Sequence, residues 1–143
     1  MAITQQRLQV TFAGANSISI PAAGGQQVSD ILLIDPGCIE SNVTVKATSA
    51  AGVPTADDIV RVYYAGSCGD TLNEPDVADE YPTDIANMGA PIGVIDCSNT
   101  NGDAQTLYFP NSPKNAKLVF VTDALSTAAI TVSAQVEQDV SGS

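Results

Sequence analysis

Histidine and tryptophan are both absent from this 143-residue chain, and Lys and Arg together number only five. Without histidine there is no Ser-His-Asp triad, no Cys-His pair and no imidazole metal ligand. The acid chemistry that remains is that of two carboxylates flanking a glycosidic bond. A glycosidase also needs aromatic platforms and a groove built from long loops, and three Phe and four Tyr supply few platforms. No catalytic residue is expected, and the chain reads as a non-enzyme. Five bases against sixteen acids leave a net charge of −11. Such a charge repels phosphate backbones and anionic bilayers, so neither nucleic acid nor membrane is an expected partner. The apolar run Ile31 to Ile34, which no other exceeds in length, is far too short to span a bilayer. The opening "MAITQQRLQVTF" carries one basic residue and no continuous apolar stretch of export-signal length, and reads as mature protein.

Cysteine is scarce as well. Cys38, Cys68 and Cys97 are an odd number, with no Cys-x-x-Cys pair, which excludes the usual zinc sites. Reduced thiols packed as small hydrophobes are the expectation, with a Cys68–Cys97 disulfide as the alternative. No cofactor is expected.

What the chain does contain is alternation. In "RLQVTF" Leu8, Val10 and Phe12 share one face, and "SISI" repeats the pattern with Ile18 and Ile20. "QVSDILLID" is more continuously apolar and reads as a central strand buried on both faces. In "SNVTVKATS", Val43, Val45 and Ala47 oppose Thr44, Lys46 and Thr48; in "IVRVYYAG", Val60, Val62 and Tyr64 oppose Ile59, Arg61 and Tyr63. One tyrosine ring of the Tyr63–Tyr64 pair is expected inside and the other outside. "PIGVIDC" follows, with Gly93 marking a bulge or a close backbone approach. Asn101-Gly102 then predicts a type I′ hairpin turn. "QTLYFP", "AKLVFVTD" and "AAITVSAQVEQ" complete the set. Short helical turns are expected only in "TADD", "PDVADE" or "TDIANM", where proline limits them.

Eight or nine short strands joined by turns rich in Gly, Pro, Asn and Ser predict an all-β, two-layer antiparallel sandwich, jelly-roll or immunoglobulin-like. A single domain over residues 1–143 is expected, with an N-terminal arm over about 1–7, a long acidic loop over about 66–91 and a polar tail over about 138–143. The loop contains "GDTLNEPDVADEYPTD", with six carboxylates and no base in sixteen residues. A solvated loop is the plainer reading, pinned by Tyr81, Ile85 and Met88. Calcium is the alternative, through Asp70, Asn73, Glu74, Asp76, Asp79 and Asp84. The spacing fits no helix-loop-helix cradle, and no metal ligand is assigned.

Two passages, "VTVKATSAAGVPTADDIVRVYYAGSCGD" and "LYFPNSPKNAKLVFVTDALSTAAITVSAQV", carry a further likeness. Their layout resembles the capsid decoration proteins of tailed bacteriophages, also called cement or head-stabilising proteins, over about two-thirds of the chain from Asn42 onward. The resemblance implies a virion protein, assembled in the host cytoplasm, that sits on the outer capsid surface. Its implied partners are the major capsid protein and itself, as a homotrimer or homodimer. No functional residue of that family maps onto this chain. Terminal position and alternation instead suggest contact residues Ile3, Leu8, Val10, Val136 and Val140, with the segment from Ala2 to Val10 adding as an edge strand to a neighbour. The alternatives are a tail- or fibre-associated virion sandwich and a secreted adhesin or carbohydrate-binding immunoglobulin-like module.

Overall fold

The computed structural model describes residues 2–35, 37–67, 85, 88–110 and 115–141. Cys68, Tyr81 and the acidic residues Asp70 to Asp84 lie outside that set, and so do the expectations placed on them. Alternation does what it predicts. In β5 (Cys38–Ser49), Val43, Val45 and Ala47 are fully buried while Thr44, Lys46 and Thr48 are exposed. β10 (Ile130–Ser141) buries Ile130, Val132, Ala134 and Val136 in the same way. The two strands pair antiparallel along nearly their whole length, from Ile130 opposite Ser49 to Val140 opposite Cys38. A bulge at Ile39 shifts the register between Asp139 and Val140.

β1 (Ile3–Gln9) and the short β2 (Ile18–Ile20) both pair with the far side of β10, and β8 (Ala104–Tyr108) pairs with β5. These strands form the first sheet, in the order β1-β10-β5-β8. The second runs β3-β9-β6-β7, from β3 (Gln26–Val28), β9 (Asn115–Thr122), β6 (Ile59–Ser67) and β7 (Gly93–Asp96). The two-residue β4 (Leu32–Leu33) also pairs with β9. Every pairing is antiparallel, and the pairs are nested. The β1/β2 segment meets β10, β3/β4 meets β9, β5 meets β8, and β6 meets β7. A long hairpin wrapped around itself gives this order, which is that of a jelly roll and not of an immunoglobulin sandwich.

The inter-sheet core is built from β-branched residues with a few aromatics set among them. Phe12 stands edge-on to Phe120 at 5.5 Å between centroids, and Tyr64 edge-on to Phe109 at 5.2 Å. Such pairs add about 0.5–1.5 kcal/mol to the area they bury. Of the paired tyrosines, Tyr64 faces this core, as alternation requires. Tyr63 is nevertheless only 8% exposed, because Ile85 and Met88 pack over it together with Ala65, Val119 and Val121. The outer face of the second sheet is therefore covered here, where the strand pattern alone leaves one tyrosine outside.

Three local expectations are corrected. "QVSDILLID" is not a central strand but the broken edge formed by β3 and β4. Between them, Ser29 donates its N–H to the Leu118 carbonyl and accepts the Leu118 N–H on its hydroxyl, so a side chain replaces a ladder bond. Asn101-Gly102 joins two sheets instead of closing a hairpin. Asn101 at φ −57°, ψ 118° and Gly102 at φ +80° have the angles of a type II turn. The turn follows a single helical turn, α1 (Cys97–Thr100), which alternation did not announce; Asp96 caps it by accepting the Ser98 N–H at 2.8 Å. "TADD" forms a turn and no helix.

Gly93 fulfils its expectation, since a Cβ there would lie 2.4 Å from a Leu107 methyl on the facing sheet. Gly25 is tighter in kind, because its Cβ would meet the Pro21 carbonyl oxygen at 2.2 Å, and backbone cannot swing aside. Gly25→Ala is expected to lower stability by about 2 kcal/mol, measured by urea unfolding, whereas Gly52→Ala, with nothing within 4 Å, should change little.

Candidate interaction surface

Among the described residues, the first sheet leaves its outer face bare, and alternation decides what stands there. The strand register lines the outward side chains into rows across the sheet. One row is Arg7, Glu137, Asn42 and Tyr108; the next is Gln9, Gln135, Thr44 and Thr106. Beside them lie Ser133, Lys46 and Ala104, then Ser19, Thr131 and Thr48. The surface is dominated by amides and hydroxyls. Charge enters through the exposed Arg7–Glu137 pair at 3.5 Å, a contact worth under about 1 kcal/mol, through Asp139 and Glu40 in the row that begins at Gln5, and through Lys46, which has no ion pair among the described residues.

A shallow groove of about 300 Å³ crosses this face, lined by Gln9, Asn16, Thr44, Lys46, Ser133 and Gln135, with Ala134 at its base. Its shape follows from side-chain size, the small Ser133 and Ala134 lying between longer neighbours. Gln9 is held in place, because its Nε2 donates to the carbonyls of Val10 and Ala134 at 3.1 and 3.0 Å. The amide's remaining polar atom, Oε1, is an acceptor. Thr44 and Thr106 share a hydrogen bond of 3.2 Å. The groove offers hydrogen bonds and one ammonium, and its lining has no carboxylate to act as a base. No group of three or more His, Cys, Asp or Glu able to hold a metal occurs among the described residues.

The sequence-derived contact residues divide sharply. Val10 and Val136 are fully buried, Val140 is 7% exposed and Leu8 packs half-buried against the core, whereas Ile3 is 62% exposed. The side chains of Val10, Val136 and Val140 thus point into the sandwich, Leu8 lies at its margin, and Ile3 stands outside. Alternation marks the apolar face of a strand, and in a sandwich that face turns inward. The expected N-terminal arm is strand β1, paired residue by residue with β10 from Ile3–Ser141 to Gln9–Gln135. The expected tail is strand to Ser141, tied down where buried Gln138 accepts the Asp35 N–H at 2.9 Å. Cys38 and Cys97 are both buried, and the Cys38 thiol donates to the Glu40 carbonyl at 3.3 Å. Burial, then the nearby Asp58 and Asp96 carboxylates, push the Cys97 thiol up and away from reactivity.

Two polar anchors escaped the sequence reading. Asp58 is fully buried at one end of the sandwich, beneath the loop that ends in Thr127. Asp30 accepts the Thr11 hydroxyl at 2.7 Å and the N–H groups of Ala13 and Gly14 at 3.0 Å each, fixing a turn in which both residues have positive φ. Those hydrogen bonds, Thr11's foremost, hold the Asp30 carboxyl below its ordinary range. Each aspartate lies just outside a strand, as Asp35, Asp57, Asp103 and Asp123 also do, so its place in the sequence does not single it out.

No model of a known protein family matches the chain, and no curated protein does. Among solved structures it is similar to the crystal structure of PirA, at 14% identity and a TM-score of 0.46, over 82% of this chain and 89% of that one. It is also similar to a family two carbohydrate esterase from Cellvibrio japonicus, at 11% identity and a TM-score of 0.39. That match takes in 98% of this chain and 35% of the esterase's length. Likenesses this distant carry nothing about function.

Proposed function

We propose that the protein is a non-enzymatic structural component of a virion, decorating the outer capsid surface and stabilising the shell by bridging coat subunits. The observation that carries this reading is the bare outer face of the first sheet. It is up to four strands wide, and its central rows are rich in Gln, Thr and Ser that meet a neighbour through many hydrogen bonds, while its charges gather toward one end, at Arg7, Glu137, Asp139 and Glu40, with Lys46 among the central rows. The net charge of −11 suits the exterior of a particle, away from packaged nucleic acid. Binding to assembled coat and not to free subunits then stabilises the shell by mass action.

The test uses purified particles with and without this chain. Hundreds of copies per particle, surface density lost with the chain, and earlier rupture on heating are the expected results. A handful of copies located at the tail favours a tail- or fibre-associated role and overturns the proposal, as does absence from the particle. Thr44→Arg with Gln135→Arg, placed on the outer face and away from the core, is expected to reduce occupancy on the shell at least tenfold while leaving the melting temperature within a few degrees. Quantitative gels of particles reconstituted with each protein read the difference.

A further inference from the structure

We propose that two copies of this chain pair edge to edge through β1, antiparallel and centred on Gln6, so that the first sheet continues from one molecule into the next. The inference concerns the isolated protein and does not depend on the capsid reading. It starts from the direction in which the β1 backbone points. Val10 donates its N–H to the Ala134 carbonyl at 3.1 Å, in the register that runs on from Gln9–Gln135. Residues of an antiparallel strand alternate between bonding to the neighbour and turning N–H and C=O away. Thr4, Gln6 and Leu8 therefore turn toward β10, and Ile3, Gln5, Arg7 and Gln9 turn toward the free edge. β10 gives the same parity from its other side, where Ser141 donates to Gly37 and Ala129 accepts from Ala50. Among the described residues no strand other than β10 pairs with β1, and Ile3 through Arg7 are all exposed.

The remaining sheet edges are protected in ways that β1 is not. β7 has four residues, β3 three and β4 two, and β8 has five, with Pro110 two residues beyond its end. Leu107 of β8 also lies against Gly93 on the opposite sheet. β1 has seven residues, "ITQQRLQ", with no proline, no bulge and a single charge. Long, regular, nearly uncharged edges of this kind accept another strand.

A second copy fits this edge because the strand complements itself. With the two-fold axis at Gln6, Ile3 faces Gln9 of the second copy and Gln5 faces its Arg7, and the reverse. All four outward-turned residues of each strand then pair, giving about eight hydrogen bonds, two for each facing pair. Sliding by one residue brings inward-turned groups to the edge. Sliding by two toward the C-terminus sets Arg7 against Arg7, which like-charge repulsion opposes, and sliding by two the other way leaves Gln9 unpaired. In the Gln6-centred register each Arg7 faces an uncharged Gln5 while keeping Glu137 in its own row. Thr4 and Leu8 meet on the inner side. The rest of each molecule is acidic, so the two bodies repel at long range, and added salt is expected to strengthen this dimer.

Sedimentation of the full chain from low micromolar to near-millimolar concentration tests the proposal, alongside amide exchange by NMR. A monomer–dimer equilibrium is expected, tighter in half-molar salt than in dilute buffer, with the Gln5, Arg7 and Gln9 amides becoming protected as concentration rises. The Gln6 and Leu8 amides, already bonded within the monomer, should not change. Gln5→Pro removes an N–H aimed at the free edge and leaves the β1–β10 ladder intact, so it should remain folded and stay monomeric. A monomer at every concentration, dimerisation of Gln5→Pro equal to that of the parent, or protection that does not depend on concentration overturns the proposal.

Discussion

Asp58→Ala is expected to lower the free energy of unfolding by about 3–4 kcal/mol, one of the two largest effects of any single change in this protein. The carboxylate is fully buried and accepts the N–H groups of Thr55 and Thr127 at 2.7 and 2.8 Å. The Thr127 hydroxyl lies 3.0 Å from each of its oxygens, with the Thr55 hydroxyl at 3.4 Å. Its backbone carbonyl receives the Cys97 N–H at 3.0 Å. One residue thus joins the start of β6, the first turn of α1 and the loop before β10. Truncation leaves the part-buried Thr55 and Thr127 N–H groups without their acceptor and a void where the fully buried carboxylate stood, and both costs, not the lost attraction alone, set the size of the effect.

The same site has a defined acid dependence. Burial pushes the Asp58 carboxyl up, and the four hydrogen bonds from Thr127 and Thr55 outweigh it, leaving the carboxyl below its ordinary range. A group whose folded pKa lies below its unfolded value, about 3.9 for aspartate, binds protons more readily when unfolded. Its contribution is therefore complete above about pH 5 and is lost as pH falls through the folded pKa. Asp123, held down by the Leu125 N–H and then by Arg61 at 2.9 Å, acts in the same direction, as does Asp30. Asp58→Asn should be less stable than the parent at neutral pH, with the gap narrowing steadily below about pH 4, because protonated Asp58 becomes an approximate match for the amide. Urea midpoints at several pH values measure this. A gap that is constant with pH would show that the charge at Asp58 contributes nothing.

Much of the fold was legible in the sequence wherever one strand face is buried and the other wet. Val43 to Thr48 and Ile130 to Val136 could be read directly, because a period of two has only one solution in a sandwich. The β3/β4 segment was misread because continuous apolar character in "ILLI" has two causes. Leu32 and Ile34 are buried, whereas Leu33 is 67% exposed on an edge. Sheet order was not legible at all, since nested pairing between strands as distant as β1 and β10 is decided by which crossovers close the roll and leaves no local mark. The candidate surface was half legible. Outward Thr44 and Lys46 were placed, but the groove arises from Gln9 and Asn16 meeting Ser133 and Gln135, residues more than a hundred positions away. Asp58 could not be singled out from fifteen other acids, because its role depends on Thr127 arriving from the far end of the chain.

Phe120→Ala is expected to cost about 3–5 kcal/mol, the range for removing a buried aromatic when the space left behind collapses only in part. Phe120 is fully buried on β9, between Gln27 of β3 and Val62 of β6, and its ring takes the edge of Phe12. Phe12 comes from the segment that leads β1 into β2, so this contact crosses from one sheet to the other. Few large side chains fill the interior, and neighbouring valines, stiff at χ1, have little freedom to swing into the void. For a domain of this length such a loss corresponds to a fall in melting temperature of about 10–15 °C. The neighbouring residue provides the contrast. Val119 points the other way, under Ile85 and Met88 in the smaller outer cluster, and Val119→Ala should cost about 1–2 kcal/mol. Equal losses at the two positions, measured by thermal and denaturant unfolding, would mean that the outer cluster holds the second sheet as firmly as the inter-sheet core does. A large gap places the main source of stability between the sheets, where the larger of the two apolar clusters lies.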